Sequence, residues 1–180
     1  TAVLEDGTTA QARAVVVATD PATAGRLVPG VEPPPLRGGT TWWHLAEPGE
    51  AVTRGEPVLV VDPDRRGPVV NSVCVSNAAP TYSPDGRALV ASTALGVDAD
   101  ESDVLRHLAL LHGPGVQRWD TVAVHRLPLA VPAMPPGSPV RRDPQVDGIW
   151  VAGDHRDTAS IQGALVSGRR IAQDILRTLA

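Results

Sequence analysis

A carboxylate stands directly after a short apolar run near residue 150. Residues 149–152 (IWVA) read as a buried strand, and Gly153 and Asp154 follow at once. In open α/β sheets, ligands bind outside the carboxyl ends of the strands. Gly153 allows close approach to the backbone, and Asp154 offers acceptor oxygens for hydroxyl groups. This spacing predicts a site for a polyhydroxylated chain, such as a ribose, at the strand end.

The helix that follows begins near Ser160, with Thr158 or Ser160 as its N-cap. Its first amides have no partner within the helix, and the positive end of the helix dipole favours an anion or a group that becomes negative during reaction. Two rows of small residues follow, Gly163 with Ser167 and Ala164 with Gly168. We expect a flat ligand or a neighbouring backbone to pack against them, and the helix to bury an apolar stripe made of Ile161, Leu165, Ile171, Ile175 and Leu179.

The elements that would position this site come from both ends of the chain. Asp6-Gly7 predicts a hairpin, and the apolar run over 14–19 predicts a strand covered on both faces in a parallel sheet, before a short helix over 21–28. Between residues 40 and 127 the sequence predicts an antiparallel meander with a helix. It contains four short β-rich runs (40–47, 57–62, 69–77 and 87–95), an amphipathic helix over 100–112 and a last strand over 119–127. A Pro-rich segment, 128–139, leads back to the strand at 149.

This order predicts an α/β fold, α+β overall, with an inserted domain. Residues 1–39 and 128–180 form the α/β part, and residues 40–127 form the β-rich part. The chain begins with Thr1, already in a strand pattern, so we expect a truncated protein whose start lies upstream.

Composition excludes several classes of partner. A net charge of −4 gives no basic face for nucleic acid, and no apolar run is long enough to predict a membrane span. Lysine is absent, so no lysine can act as a base or form a Schiff base. The single cysteine, Cys74, predicts a core residue in a cytoplasmic protein rather than a disulfide. His107 and His112 are five residues apart on a helix, and we predict no metal site.

Other residues are open to two interpretations. Trp42 and Trp43 point to opposite faces of a strand, so one would lie in the core and the other at an edge or in a substrate cavity. His155 would be a solvated loop residue or would approach a ligand. Arg141 and Arg142 would be a solvated pair or would meet an anionic substrate or a phosphate.

The C-terminal segment resembles the FAD-binding segment of the flavin amine oxidase and phytoene desaturase superfamily. The resemblance rests on Gly153-Asp154, Thr158, residues 160–164 (SIQGA) and Ser167-Gly168, with a weaker likeness over residues 12–21 (ARAVVVATDP). It implies part of a Rossmann-like FAD-binding domain carrying an antiparallel β-sheet plus helix substrate domain. It also implies an FAD site that comprises Gly153, Asp154, Ser160, Ile161, Gln162 and Ala164.

The resemblance implies that Asp154 would bind the ribityl chain of FAD. It also implies that amides near Ile161 and Gln162 would face the pyrimidine edge of the flavin. The expected activity is hydride transfer from a substrate C–H bond to flavin N5, in a desaturase, dehydrogenase or amine oxidase; no catalytic side chain is assigned. The family's G-x-G-x-x-G fingerprint is absent from these residues, so we expect it upstream and expect the chain alone to bind FAD poorly and to be inactive.

Two alternatives stay open from the sequence. The same fold would serve a flavin-dependent isomerase, or the chain would be a non-catalytic binding module that self-associates through surfaces exposed by truncation. The expected partner of the enzyme is a small molecule, and the apolar β-rich block is compatible with a hydrophobic one.

Overall fold

The computed structural model describes all 180 residues, Thr1–Ala180, and they divide into two compact units. The first unit comprises Thr1–Leu36 and Val131–Ala180, and the second comprises Arg37–Ala130. The sequence-based boundaries, after residues 39 and 127, fall within three residues of this division. No helix combines the length and the apolar character needed to cross a membrane.

The first unit is built on a small mixed sheet. Its central strand, β10 (Ile149–Val151), pairs in parallel with β3 (Val16–Val17) and antiparallel with β9 (Gln145–Val146). A separate hairpin joins β1 (Ala2–Val3) to β2 (Thr9–Ala10). The Asp6 side chain accepts from the Thr8 amide in its turn, which confirms the predicted hairpin.

Helices cover both faces of this sheet. Val151 packs with Val28 and Ala24, the latter in α1 (Pro21–Leu27), whose N-cap Asp20 accepts from the Thr23 amide. Trp150 and Ala152 face the opposite way and pack with Ile171 of α4 (Ile161–Leu179). The alternation of side chains along one strand therefore produces the α/β layering predicted from the sequence.

The strand predicted over 14–19 is shorter and less buried than expected. Only two residues pair, and Val16 is 44% exposed. The reason is that β3 lies at the edge of its sheet, so β10 alone provides a pairing partner.

The second unit is a five-stranded sheet with a helix on one face. The strands are β4 (Leu36–Leu45), β5 (Leu59–Val60), β6 (Val69–Cys74), β7 (Leu89–Leu95) and β8 (Asp120–Pro132). Their spatial order is β5-β6-β7-β4-β8, so the first strand along the chain lies between the last two. The helix α3 (Glu101–His112) packs Val104 and Leu108 against Trp42, as its predicted stripe requires.

Two sequence-based boundaries in this unit were wrong. The strand predicted over 69–77 ends at Cys74, which is buried as expected, and a helical turn α2 (Val75–Ala78) follows. The last strand continues beyond residue 127 into the Pro-rich segment and ends at Pro132. β8 is an edge strand, where a residue without an amide hydrogen is tolerated because no ladder bond is lost on the open side.

A buried histidine ties the loop before β6 to α3. His107 Nδ1 accepts from the Val69 amide at 3.1 Å, and Nε2 lies 2.9 Å from Asp62 Oδ2. Because Nδ1 accepts, the hydrogen of the neutral ring sits on Nε2 and is donated to the carboxylate. The Arg66 side chain and the amides of Asp64 and Arg66 also donate hydrogen bonds to Asp62. The Arg66 side chain is the largest of the causes that lower the pKa of the Asp62 carboxyl.

The two adjacent tryptophans separate as the strand geometry demands. Trp42 is fully buried in the core beneath α3. Trp43 points to the other face of the sheet and lines an open cleft of about 460 Å³ with Thr41, His125 and Leu127. One tryptophan is therefore structural, and the other lies where a ligand has access.

Candidate functional site

The carboxyl ends of two parallel strands meet at one edge of the first unit's sheet. β3 leads to Asp20 and β10 leads to Gly153 and Asp154, and the backbone ladder continues to the bond from the Ala152 amide to the Val17 carbonyl at 2.9 Å. Asp154 opens a single turn of 3₁₀ helix, and its side chain is 28% exposed. Its oxygens are thus accessible to a ligand at the strand end.

Gly153 has a conformation and a neighbour that exclude other residues. Its φ of +152° is strained for any residue with a side chain, and an added Cβ would lie 2.5 Å from the His155 ring. Its amide donates to Ser167 Oγ at 3.0 Å, and that hydroxyl donates to the Ala164 carbonyl at 2.9 Å. Ser167, fully buried in α4, therefore fixes the Gly-Asp turn against the helix.

The start of α4 leaves two amides for a ligand. Ser160 is the N-cap: its Oγ accepts from the Gly163 amide and its carbonyl accepts from the Ala164 amide, both at 3.0 Å. The amides of Ile161 and Gln162 are the remaining donors of the first turn, and neither has a partner in the protein. The side chains of Ile161, Gln162 and Ala164 are exposed, so nothing bulky on the helix covers this end.

The loop before the helix is held by an ion pair. Asp157 is 8% exposed, accepts from Arg170 Nη1 at 3.0 Å through one oxygen and from the Thr158 amide through the other. Thr158 lies directly over Gly163: a Cβ there would be 1.8 Å from the Thr158 carbonyl oxygen. Gly163 is therefore required by the loop that crosses it, while Gly168 has no neighbour within 4 Å of an added Cβ.

The predicted apolar stripe of α4 was wrong in its first half. Ile171 is 2% exposed, but Ile161 and Leu165 are 78% and 69% exposed. The residues buried in that half are Gly163 and Ser167, because the loop and the Gly-Asp turn approach the helix on the side of its small residues.

His155 is buried rather than solvated. It is 3% exposed, and neither ring nitrogen has a hydrogen-bond partner. Burial lowers its pKa, the Arg156 charge lowers it further, and Asp154 opposes both. The ring is therefore neutral at pH 7 and fills the space beside Gly153.

Sequence reasoning named the six predicted site residues but missed those that support them. Gly153, Asp154, Ser160, Ile161, Gln162 and Ala164 lie in the strand-end turn and in the first turn of α4, two segments that pack together. Asp157 and Arg170 gave no signal because their roles depend on tertiary contacts, and His155 was predicted either as a solvated loop residue or as a neighbour of a ligand. Ser167 was noted as a small residue four positions after Gly163 and as part of the family resemblance, but its hydrogen bond with the Gly153 amide was not predicted.

No group of three or more His, Cys, Asp or Glu side chains is arranged to hold a metal ion. The site offers a carboxylate, free amides and an approachable backbone. Those donors and acceptors suit an organic ligand that carries hydroxyl groups and an electron-rich edge.

Comparison with known proteins agrees with this chemistry. Residues 1–176 match the family model described as flavin containing amine oxidoreductase. The crystal structure of an oxidoreductase from Methanosarcina mazei is similar, with a TM-score of 0.63 and 15% identity. The similarity covers 93% of this chain and 44% of that one, so the chain spans less than half the length of this neighbour. No curated protein matches. With nearly its whole length matched, the chain belongs to the flavin-containing amine oxidoreductase family.

Proposed function

We propose that this chain is part of an FAD-dependent oxidoreductase and contributes one side of the flavin site. The family implies a flavin, and the observation that carries the proposal is the pairing of a strand-end carboxylate with two free helix amides. Gly153 would let the cofactor approach the backbone, and Asp154 would accept hydrogen bonds from ribityl hydroxyls. Ser160 would hold the first turn of α4 in register for both.

The free amides of Ile161 and Gln162 suit the charge that a flavin develops. When bound, the flavin would supply the redox chemistry, accepting a hydride at N5 and gaining negative charge near N1 and C2=O. Preorganised amides at the positive end of a helix stabilise such a charge without reorganisation. The exposed Ala164 side chain adds no bulk on this turn, which is compatible with a flat ring above it.

The second unit would be the substrate domain, and the first would be part of the FAD-binding domain. The open face of the five-stranded sheet carries Thr41 and Trp43, with Leu127 at the same cleft. An aromatic ring with apolar neighbours and a few polar groups, here Thr41, His125 and Arg126, is typical of small-molecule sites. We therefore propose a small, largely apolar substrate in this cleft and a cytoplasmic location, where Cys74 would stay reduced.

The reaction type is proposed as desaturation, dehydrogenation or amine oxidation by hydride removal from a C–H bond. Amine oxidases of the family that this chain resembles commonly use a lysine near flavin N5. These 180 residues contain no lysine, which favours desaturation or dehydrogenation. A flavin-dependent isomerase is the second candidate, since the same contacts would hold a flavin that undergoes no net reduction.

Anaerobic flavin spectroscopy tests the proposal. Protein loaded with FAD should lose the visible absorbance of its oxidised flavin on addition of a true substrate. Turnover without bleaching would favour the isomerase. Protein that purifies colourless and fails to bind added FAD, in the longest natural form that contains this chain, would refute the flavin site altogether.

A further inference from the structure

Five arginines gather around the loop that precedes α4. Arg170 of α4 donates to Asp157 at 3.0 Å and to the Arg156 carbonyl at 3.2 Å. Arg141 Nε lies 3.8 Å from the same carboxylate oxygen, and the Arg142 amide donates to the Arg156 carbonyl. Arg169 is the exposed neighbour of Arg170 on the helix. From the sequence alone, Arg141 and Arg142 are either a solvated pair or a site for an anion.

This cluster has too few anions for its charge. Asp157 is the only carboxylate within ion-pair distance of any of the five, and it is shared by Arg141 and Arg170. Arg156 is 5% exposed and makes no ion pair; its guanidinium donates to the Asp143 carbonyl, and its Nε has no partner. The Nε of Arg170 is also buried without a partner. Neither Nε has surface that a ligand could reach, so the attraction for an anion comes from the five guanidinium charges, which a single carboxylate pairs.

A cavity adjoins the cluster on the flank of α4. It measures about 300 Å³ and is lined by Arg141, Arg169, Arg170, Gln173 and Val166. Four of these five residues carry N–H donors, and none carries a carboxylate. We propose that this cavity is a binding site for a phosphate-type oxyanion, held by Arg141, Arg169 and Arg170 with Gln173 as a neutral donor.

The donor set selects the ligand class. A guanidinium group binds phosphate through two parallel hydrogen bonds. Three guanidinium groups can therefore be satisfied by the several oxygens of a phosphate better than by the two oxygens of a carboxylate. The cavity lies eight or nine residues after Ile161, about 13 Å along the helix at 1.5 Å per residue. The phosphate would belong to a ligand other than FAD, because the fingerprint that binds the diphosphate of FAD is expected upstream of Thr1.

Titration with inorganic pyrophosphate, followed by calorimetry at low ionic strength, tests this site. The double variant Arg141→Gln/Arg169→Gln removes two exposed guanidinium groups without touching the Asp157–Arg170 pair. We expect it to bind pyrophosphate about tenfold more weakly than the natural chain. The control Arg177→Gln removes an exposed arginine of the same helix, paired with Asp174, and should bind as the natural chain does.

A natural chain that shows no pyrophosphate binding at millimolar concentration would overturn the proposal, as would equal affinity in the double variant. Repeating the titration on FAD-loaded protein separates this site from the flavin site. Unchanged pyrophosphate affinity supports a separate phosphate ligand, and competition by FAD would overturn the proposal.

Discussion

A methyl group added at Gly163 tests whether the loop before α4 is fixed by its fit to the helix. In Gly163→Ala the new carbon would lie 1.8 Å from the Thr158 carbonyl oxygen and 2.6 Å from Thr158 Oγ1. To reach an ordinary contact of 3.4 Å, the carbonyl has to move by roughly 1.6 Å. Overpacking of this kind costs about 1–3 kcal/mol, which exceeds the gain of up to about 1 kcal/mol from replacing a helical glycine with alanine.

Gly168→Ala is the matched control because an added Cβ at Gly168 has no neighbour within 4 Å. It should stabilise the first unit by about 0.5–1 kcal/mol, while Gly163→Ala should destabilise it by about 1–2 kcal/mol. In a domain of this size the two melting temperatures should differ by about 10 °C. Thermal unfolding with hydrogen exchange over residues 157–166 measures both effects. If Gly163→Ala proved as stable as Gly168→Ala, the loop placement described above would be wrong.

Three further predictions concern side chains that stabilise the interior of one unit or the other. Ser167→Ala removes the acceptor of the Gly153 amide and should cost about 1 kcal/mol in urea unfolding, whereas Thr178→Ser, an exposed helix hydroxyl, should cost nothing measurable. His107→Leu leaves the Val69 amide without its acceptor and should lower the melting temperature of the second unit by at least about 10 °C, with the exposed His125→Leu as its neutral control. Burial lowers the pKa of His44 and His112 in the folded protein. Below the ordinary histidine pKa of about 6.5 the unfolded chain therefore binds more protons than the folded protein, and stability should fall as the pH falls below that value. His44→Leu should flatten the profile measured by urea unfolding from pH 5 to 7.5, and an unchanged slope would contradict the assignment.

The local elements of the site were predictable because each has a short-range cause. Asp6-Gly7 specifies a hairpin, Asp20-Pro21 begins a helix, and Ser160 caps one, all through contacts within three or four residues. The alternation of side chains along one strand likewise placed the two tryptophans on opposite faces, but only the structure shows that Trp42 is the one in the core.

The supporting contacts were not predictable, since they join residues distant in the chain or depend on which side of a helix is covered. Asp62 and His107 are 45 residues apart, and no local pattern relates them. Ile161 and Leu165 follow the apolar period of α4, yet the loop from Asp157 to Ser160 packs on the small residues instead. Periodicity shows which residues are apolar, but the tertiary structure decides which of them are buried.

The dissociation constant for FAD tests the central claim most directly. It is measured by quenching of flavin fluorescence, on this chain and on the longest natural form that contains it. Asp154→Ala should weaken FAD binding about 10- to 100-fold by removing an acceptor of charge-assisted hydrogen bonds, while Asp147→Ala, in the turn between β9 and β10, should leave it unchanged. Equal FAD affinity in Asp154→Ala and the natural protein would contradict a flavin site at the end of β10.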